Sequence, residues 1–329
     1  MVLKVGILGS GFAARELHLP VLSRIDGIEL SAIFGIPYED ALLLARRFNI
    51  PKVTDDWRSI INDSSIDIVL IATPTYTHKA IAEEAIKAGK DVMLEKPITL
   101  TVKDGEELVK AYEAGGIKLM VAHCLRFWPE YVRARELIMA GRVGEPRVIR
   151  AYRLSSHPGR WFRFQELSGG VAVDMSIHDL DYLRWTFGGV KRVYAIGGIY
   201  SSESATSIDH FMATLEFDNG AVAYVEGSWA MPRNYPFTTY FEVSGTNGLM
   251  AVDNQSTATV EAYINNSYYR YSPMMKDAYY LEWIAFLNWV NKGVKPPIEP
   301  HDAVEALRLA LSINKSIMEG RVVNPSEVK

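Results

Sequence analysis

VLKVGILGSGFAA, residues 2–14, runs an apolar strand directly into a G-x-G-x-x-A turn and the start of a helical pattern. Two glycines let a backbone turn tightly and approach a pyrophosphate. The unpaired N–H groups and dipole at a helix start then hold the anion. In this strand–turn–helix setting Gly9, Ser10, Gly11, Phe12 and Ala13 read as a dinucleotide-binding loop; glycines that only ease a tight turn are the plainer alternative.

Working outward from that loop, residues 1–122 alternate short apolar strands with amphipathic helices. Strands are expected near 2–8, 28–34, 66–72, 91–94 and 118–122, and helices near 12–24, 38–48, 77–88 and 103–114. Continuous Val/Ile/Leu runs separated by helices indicate a parallel sheet covered on both faces, hence a doubly wound α/β domain. The second strand of such a domain often ends in an acidic residue that binds the adenosine ribose of NAD. Here that end reads Ala32-Ile33-Phe34-Gly35-Ile36-Pro37, and Arg46 and Arg47 come a full helix later. NAD versus NADP stays open, with a lean to NAD because no cation is placed for a 2′-phosphate.

From residue 123 to 329 the pattern changes. A helix near 129–140 precedes long alternating strands: 147–155, 193–200, 211–217, 221–229 and 239–244. Asp218-Asn219-Gly220 and Gly245-Thr246-Asn247-Gly248 supply hairpin turns. Helices follow near 277–291 and 302–319, with His301-Asp302 as the expected cap of the second and Trp283, Phe286, Leu287 and Val290 as a core stripe. This half is α+β with one large, open, mostly antiparallel sheet.

Composition narrows the function. With 22% charged residues, a net charge of −4 and no Lys/Arg run, the chain lacks the footprint of a nucleic-acid binder. Its apolar runs are too short to span a bilayer. Cys124 is the lone cysteine, so no intrachain disulfide forms, and the N-terminus shows no signal-peptide pattern. A cytoplasmic protein without membrane or nucleic-acid partners is expected.

Three segments carry chemistry. Thr73, Pro74, Thr75 and His78 in ATPTYTH, and Glu95 and Lys96 in EKP, follow strand ends, where parallel sheets bind ligands. Taken alone, Glu95-Lys96 would be an exposed ion pair. The third segment, GGVAVDMSIHDLDYLRW at 169–185, reads as one helix with Asp174, His178, Asp181 and Trp185 within roughly 60° of one another. Val173, Ile177, Leu180, Leu183 and Phe187 cover most of the remaining surface, so the polar stripe faces either a sealed network or a cleft. His178 and Asp181 satisfying each other in a core is the plain alternative, and Asp179 points off the stripe. No second His/Cys cluster accompanies them, so no metal site is expected.

GSGFAA, TPTYTH, EKP, Arg126-Phe127 in HCLRFWPEY and GGVAVDMSIHDLD, in this order and spacing, resemble the glucose–fructose oxidoreductase/inositol dehydrogenase (Gfo/Idh/MocA) family over nearly the whole chain. The resemblance implies a Rossmann domain followed by an α/β domain whose open sheet serves in oligomer contacts. It also implies a bound nicotinamide dinucleotide and a sugar, polyol or related cyclic alcohol as substrate. The family's catalytic lysine matches Lys96, its Asp-x-x-x-His pair matches Asp174 and His178, and its cis bond would precede Pro97. Alcohol oxidation needs a base for the hydroxyl proton, and histidine titrates in the right range. His178 is expected as that base, Lys96 as the polarising cation, Asp174 as the orienter. Arg126, Trp161 and Tyr235, with Arg163 nearby, are candidate substrate contacts, each equally at home as packing; His157 and His210 read as structural. A homo-oligomer, dimer or tetramer, is expected. Two alternatives stand: a glycosidase of the same fold that uses NAD without net redox change, and a non-catalytic dinucleotide sensor.

Overall fold

The structure, a computed structural model, describes residues 2–273 and 277–329. The chain forms two compact units. The first gathers Met1–Thr99, Lys103–Cys124 and Asp277–Val304; the second gathers Leu100–Val102, Leu125–Lys276 and Glu305–Lys329. The first unit thus includes a helix from the far end of the sequence, Ala278–Lys292, which Asp277 caps by accepting the N–H groups of Tyr279 and Tyr280. Trp283 and Phe286 on it are fully buried and Leu287 nearly so, as the stripe requires, while Val290 is half-buried.

Among the described residues the sheet of the first unit has six strands: β1 (Leu3–Leu8), β2 (Ile28–Phe34), β3 (Lys52–Thr54), β4 (Ile68–Ile71), β5 (Asp91–Glu95) and β6 (Leu119–Ala122). All neighbours are parallel in the order β3-β2-β1-β4-β5-β6, which is the Rossmann arrangement. β4 and β6 are buried at every position, as strands covered on both faces must be. The short β3 and the helix Arg58–Ile61 are too short and polar to stand out as apolar runs. Leu8 lies level with Phe34 on one side and Ile71 on the other, and Ile71 lies level with Leu94. The C-terminal ends of β1, β4 and β5 therefore form one rank, from which the Gly9–Ala13 loop, the Thr73–Thr77 loop and the Lys96–Pro97 loop leave side by side.

Two local expectations change. The helix over 12–24 is irregular: the Leu19 N–H reaches back to Ala14 O, so Ala13–His18 makes wide turns before the α-helical Leu19–Leu22. Pro20 has no N–H to offer the Glu16 carbonyl and its ring crowds it, which breaks the regular ladder. The last helix, Pro300–Glu319, has already begun at His301-Asp302. Asp302 works from inside the first turn, accepting the Glu299 N–H at 3.1 Å.

Among the described residues the second unit carries an eight-stranded sheet: β7 (Pro146–Ser156), β8 (Val190–Gly198), β9 (His210–Phe217), β10 (Val222–Met231), β11 (Thr238–Gly245), β12 (Gly248–Asp253), β13 (Val260–Ile264) and β14 (Ser267–Tyr271). The order is β14-β13-β12-β11-β7-β10-β9-β8, antiparallel except for β10 beside β7. Alternation sorts its faces: Phe211, Ala213, Leu215 and Phe217 of β9 are buried, whereas Tyr194, Ile196, Met212 and Tyr224 are exposed. β12 to β14 were not among the expected strands. Asn265 and Asn266, both at positive φ, form the turn between β13 and β14 that such a dipeptide signals.

The 169–185 stretch is two helices, not one. Gly170–Asp174 ends where the N–H groups of Met175 and Ser176 both reach Val171 O, and Ser176 then opens Ile177–Phe187. Ser176 is buried against β10, where a Cβ on Gly227 would stand 2.2 Å from its Oγ. Two buried carboxylates on the second helix meet arginines. Arg126 donates to Asp181 through Nε at 2.8 Å and Nη2 at 2.6 Å; Arg153 donates to Asp179 at 2.7 and 3.0 Å. All four residues are at most 3% exposed. Asp179 is therefore a buried structural group and lies nowhere near the surface. Breaking such a pair leaves a buried charge without compensation. Asp181→Leu alone is expected to cost roughly 3–5 kcal/mol, read as a lower midpoint in urea unfolding. Arg126→Leu with Asp181→Leu should recover most of that loss; additive losses would contradict a mutually dependent pair.

Candidate active site

In the first unit the candidate residues lie on the rank of strand ends. Gly9 leaves β1 at φ +125°, and a Cβ there would stand 2.3 Å from Ala72 O, so only glycine fits between the two strand ends. Ser10 is buried, Phe12 is exposed and Ala13 half-buried. After β2, Gly35 closes on Ser10, where a Cβ would meet Oγ at 2.4 Å; Ile36 and Tyr38 flank a cis Pro37 and are exposed.

The loops after β4 and β5 are tied together by one histidine. His78 is buried, with Nε2 2.9 Å from Thr73 O and Nδ1 2.8 Å from Pro97 O. Burial pushes its pKa down, against the pull of the two carbonyl acceptors. Thr77 closes the turn by donating to Pro74 O at 2.7 Å, and Thr75 is buried beneath it. In the next loop Glu95 is buried, while Lys96 is half-buried and precedes a cis Pro97, as the resemblance implied. Burial alone would raise the Glu95 carboxyl. The hydrogen bond from His18 and neighbouring positive charge, Lys96 included, outweigh it and hold the pKa below the usual range.

The second unit holds its own candidate residues. Asp174, the last residue of its helix, and His178, the second residue of the next, are both half-buried, unlike the sealed Asp179 and Asp181. The break at Met175–Ser176 means that ideal helix spacing no longer sets their relation. Among the expected substrate contacts, Arg126 is buried and spends two donors on Asp181. Trp161 is half-buried and stacks on Phe162 at 3.8 Å, which in turn meets Trp229 edge-on. Tyr235 is exposed in the turn 232–235. Arg163 is exposed, with Nε donating to Glu203 O at 2.7 Å. His157 accepts the Gly159 N–H and packs against Trp229, and His210 meets Tyr200 edge-on.

His18 is the residue that sequence reasoning passed over. It is fully buried, 2.7 Å from Glu95 Oε1, and no motif marks it, because one histidine in an amphipathic helix carries no spacing to read.

Residues 3–123 match the oxidoreductase family with an NAD-binding Rossmann fold, and residues 131–251 match the GFO/IDH/MocA C-terminal domain. The chain belongs to the Gfo/Idh/MocA oxidoreductase family. Myo-inositol 2-dehydrogenase of Thermotoga maritima is 28% identical over 99% of both chains. Trans-1,2-dihydrobenzene-1,2-diol dehydrogenase of Mus musculus is 30% identical over 83% of this chain and 81% of its own. Among solved structures, GenD2 from gentamicin A biosynthesis, in complex with NAD, superposes with a TM-score of 0.87 at 27% identity, covering 98% of this chain and 96% of that one.

The first unit of this Gfo/Idh/MocA chain fits a dinucleotide at a specific place. A Cβ at Gly11 meets nothing within 4 Å, so the loop offers an open backbone approach at the start of the helical turns. The two glycines thus separate fold from ligand. Gly11→Val should leave the melting temperature near wild type and abolish the thermal shift produced by NAD. Gly9→Ala should lower the melting temperature itself. Undiminished NAD binding in Gly11→Val would contradict this loop as the phosphate site.

Proposed function

We propose that this oxidoreductase takes a hydride from a secondary alcohol of a cyclic polyol or sugar, with NAD as the acceptor. The carrying observation is the level rank at the ends of β1, β4 and β5, which sets the open Gly11 approach and the Lys96 loop on one edge of one sheet. The relatives named as inositol dehydrogenases support the substrate class. NAD is favoured over NADP because exposed Ile36 and Tyr38 follow β2, where a 2′-phosphate would call for a cation.

Bound along that edge, the dinucleotide supplies the hydride acceptor. His178 takes the hydroxyl proton, and Asp174 orients its ring. Lys96 places an ammonium beside the oxygen on which negative charge develops. Trp161 and Tyr235 offer aromatic faces to the ring of a sugar or polyol. Two further proposals accompany this reading. The exposed apolar side of the eight-stranded sheet serves a homo-oligomer, and the buried lone Cys124 suits the cytoplasm.

A panel of inositols, other polyols and aldoses assayed with NAD and with NADP tests the proposal through growth of reduced-dinucleotide absorbance. NAD is expected to be preferred. Lys96→Ala and His178→Ala should each lower kcat/KM for the preferred substrate by about 100-fold or more at unchanged melting temperature. Turnover within a few-fold of wild type in both variants would overturn the assignment.

A further inference from the structure

We infer that Trp283 and His18 are positioning residues for Lys96, acting through the carboxylate of Glu95. The inference rests on the reading of Lys96 given above. All of these residues belong to the first unit, although Trp283 comes from a helix more than 180 residues further along the sequence.

The direction of every hydrogen bond in this chain follows from one group. An indole N–H can only donate. Trp283 Nε1 lies 2.9 Å from His18 Nδ1, so Nδ1 carries the lone pair and the ring proton sits on Nε2. Nε2 therefore donates to Glu95 Oε1 at 2.7 Å, and Glu95 accepts. The other oxygen, Oε2, accepts the backbone N–H of Lys96 at 3.1 Å. Tyr279 and Trp283 close edge-on around the imidazole at 5.7 and 6.0 Å, and His18 is 0% exposed. No water competes for either nitrogen.

The carboxylate needs this support. Glu95 is 7% exposed, and its titratable neighbours are His18, Lys96 and His78 on one side and Glu282 and Tyr279 on the other. Glu282 is fully buried, and neither of its oxygens has a hydrogen-bond partner among the described residues. Burial and the charge on Glu95 push its pKa well up, which disfavours a second anion beside Glu95. Without the His18 N–H, Glu95 would face desolvation with one donor fewer and would take up a proton more readily. A neutral Glu95 accepts weakly from the Lys96 amide. The Lys96 amide would then lose the strong acceptor that fixes it, while His78 still holds the Pro97 carbonyl. A lysine that must meet an alcohol oxygen cannot tolerate that slack, since a misplacement of about 1 Å costs up to about 100-fold.

Trp283→Phe removes the donor and keeps the aromatic bulk. It is expected to lower kcat by roughly tenfold to 100-fold with KM and NAD affinity little changed. In a Lys96→Ala background the same substitution should change kcat by less than about twofold, because the group it positions is gone. Glu95→Gln provides a second, nearly isosteric route should Trp283→Phe fold poorly, and its effect should vanish in the same background. Full activity in either single variant, or an equal loss with and without Lys96, would overturn the inference. A wild-type rate in Lys96→Ala alone would instead overturn the reading on which it rests.

Discussion

β1 and β4 run side by side and end level, and the chain leaving β1 passes so close to the carbonyl of Ala72 that no side chain fits at position 9. This close approach lets the first loop turn sharply into the helical turns that follow and leaves Gly11 facing open space. The same parallel register puts the Thr73–Thr77 and Glu95–Pro97 loops beside it. A parallel sheet concentrates its loop ends along one edge, so one steric constraint fixes where chemistry can occur in this unit.

Much of this was legible from residue patterns. Uninterrupted apolar runs mark buried parallel strands because both faces must be covered, and β4 and β6 are buried throughout. The Asn-Gly turns mark hairpins because those residues tolerate positive φ. What escaped has equally physical causes. A stripe of Trp283, Phe286 and Leu287 reveals a buried helix face but not which core receives it; that helix joins the first unit from the far end of the chain. β12 to β14 are only five or six residues long, and β14 is polar or aromatic and largely exposed, so they leave little pattern to read.

The Asp–His–Asp stripe illustrates a different limit. Helical spacing puts Asp174, His178 and Asp181 on one line only if the helix is continuous. It breaks at Met175–Ser176, where both N–H groups reach Val171 O. Asp181 then turns to Arg126 and Asp179 to Arg153, both as sealed pairs, while Asp174 and His178 keep partial exposure. Packing, not spacing, sorts the structural carboxylates from the group left for chemistry. Trp283, His18 and Glu95 follow the same logic in the other unit, since each is buried and a donor-only indole sets the direction of the chain they form.

In the proposed reaction hydrogen passes directly from the alcohol carbon to the dinucleotide. The most direct measurement of this transfer uses the preferred polyol deuterated at the carbinol carbon, with mass analysis of the reduced dinucleotide. The account predicts that the deuterium is carried into the dinucleotide and accumulates there as substrate is consumed. Substrate consumption with the label lost to solvent, or with no reduced dinucleotide formed, would contradict it.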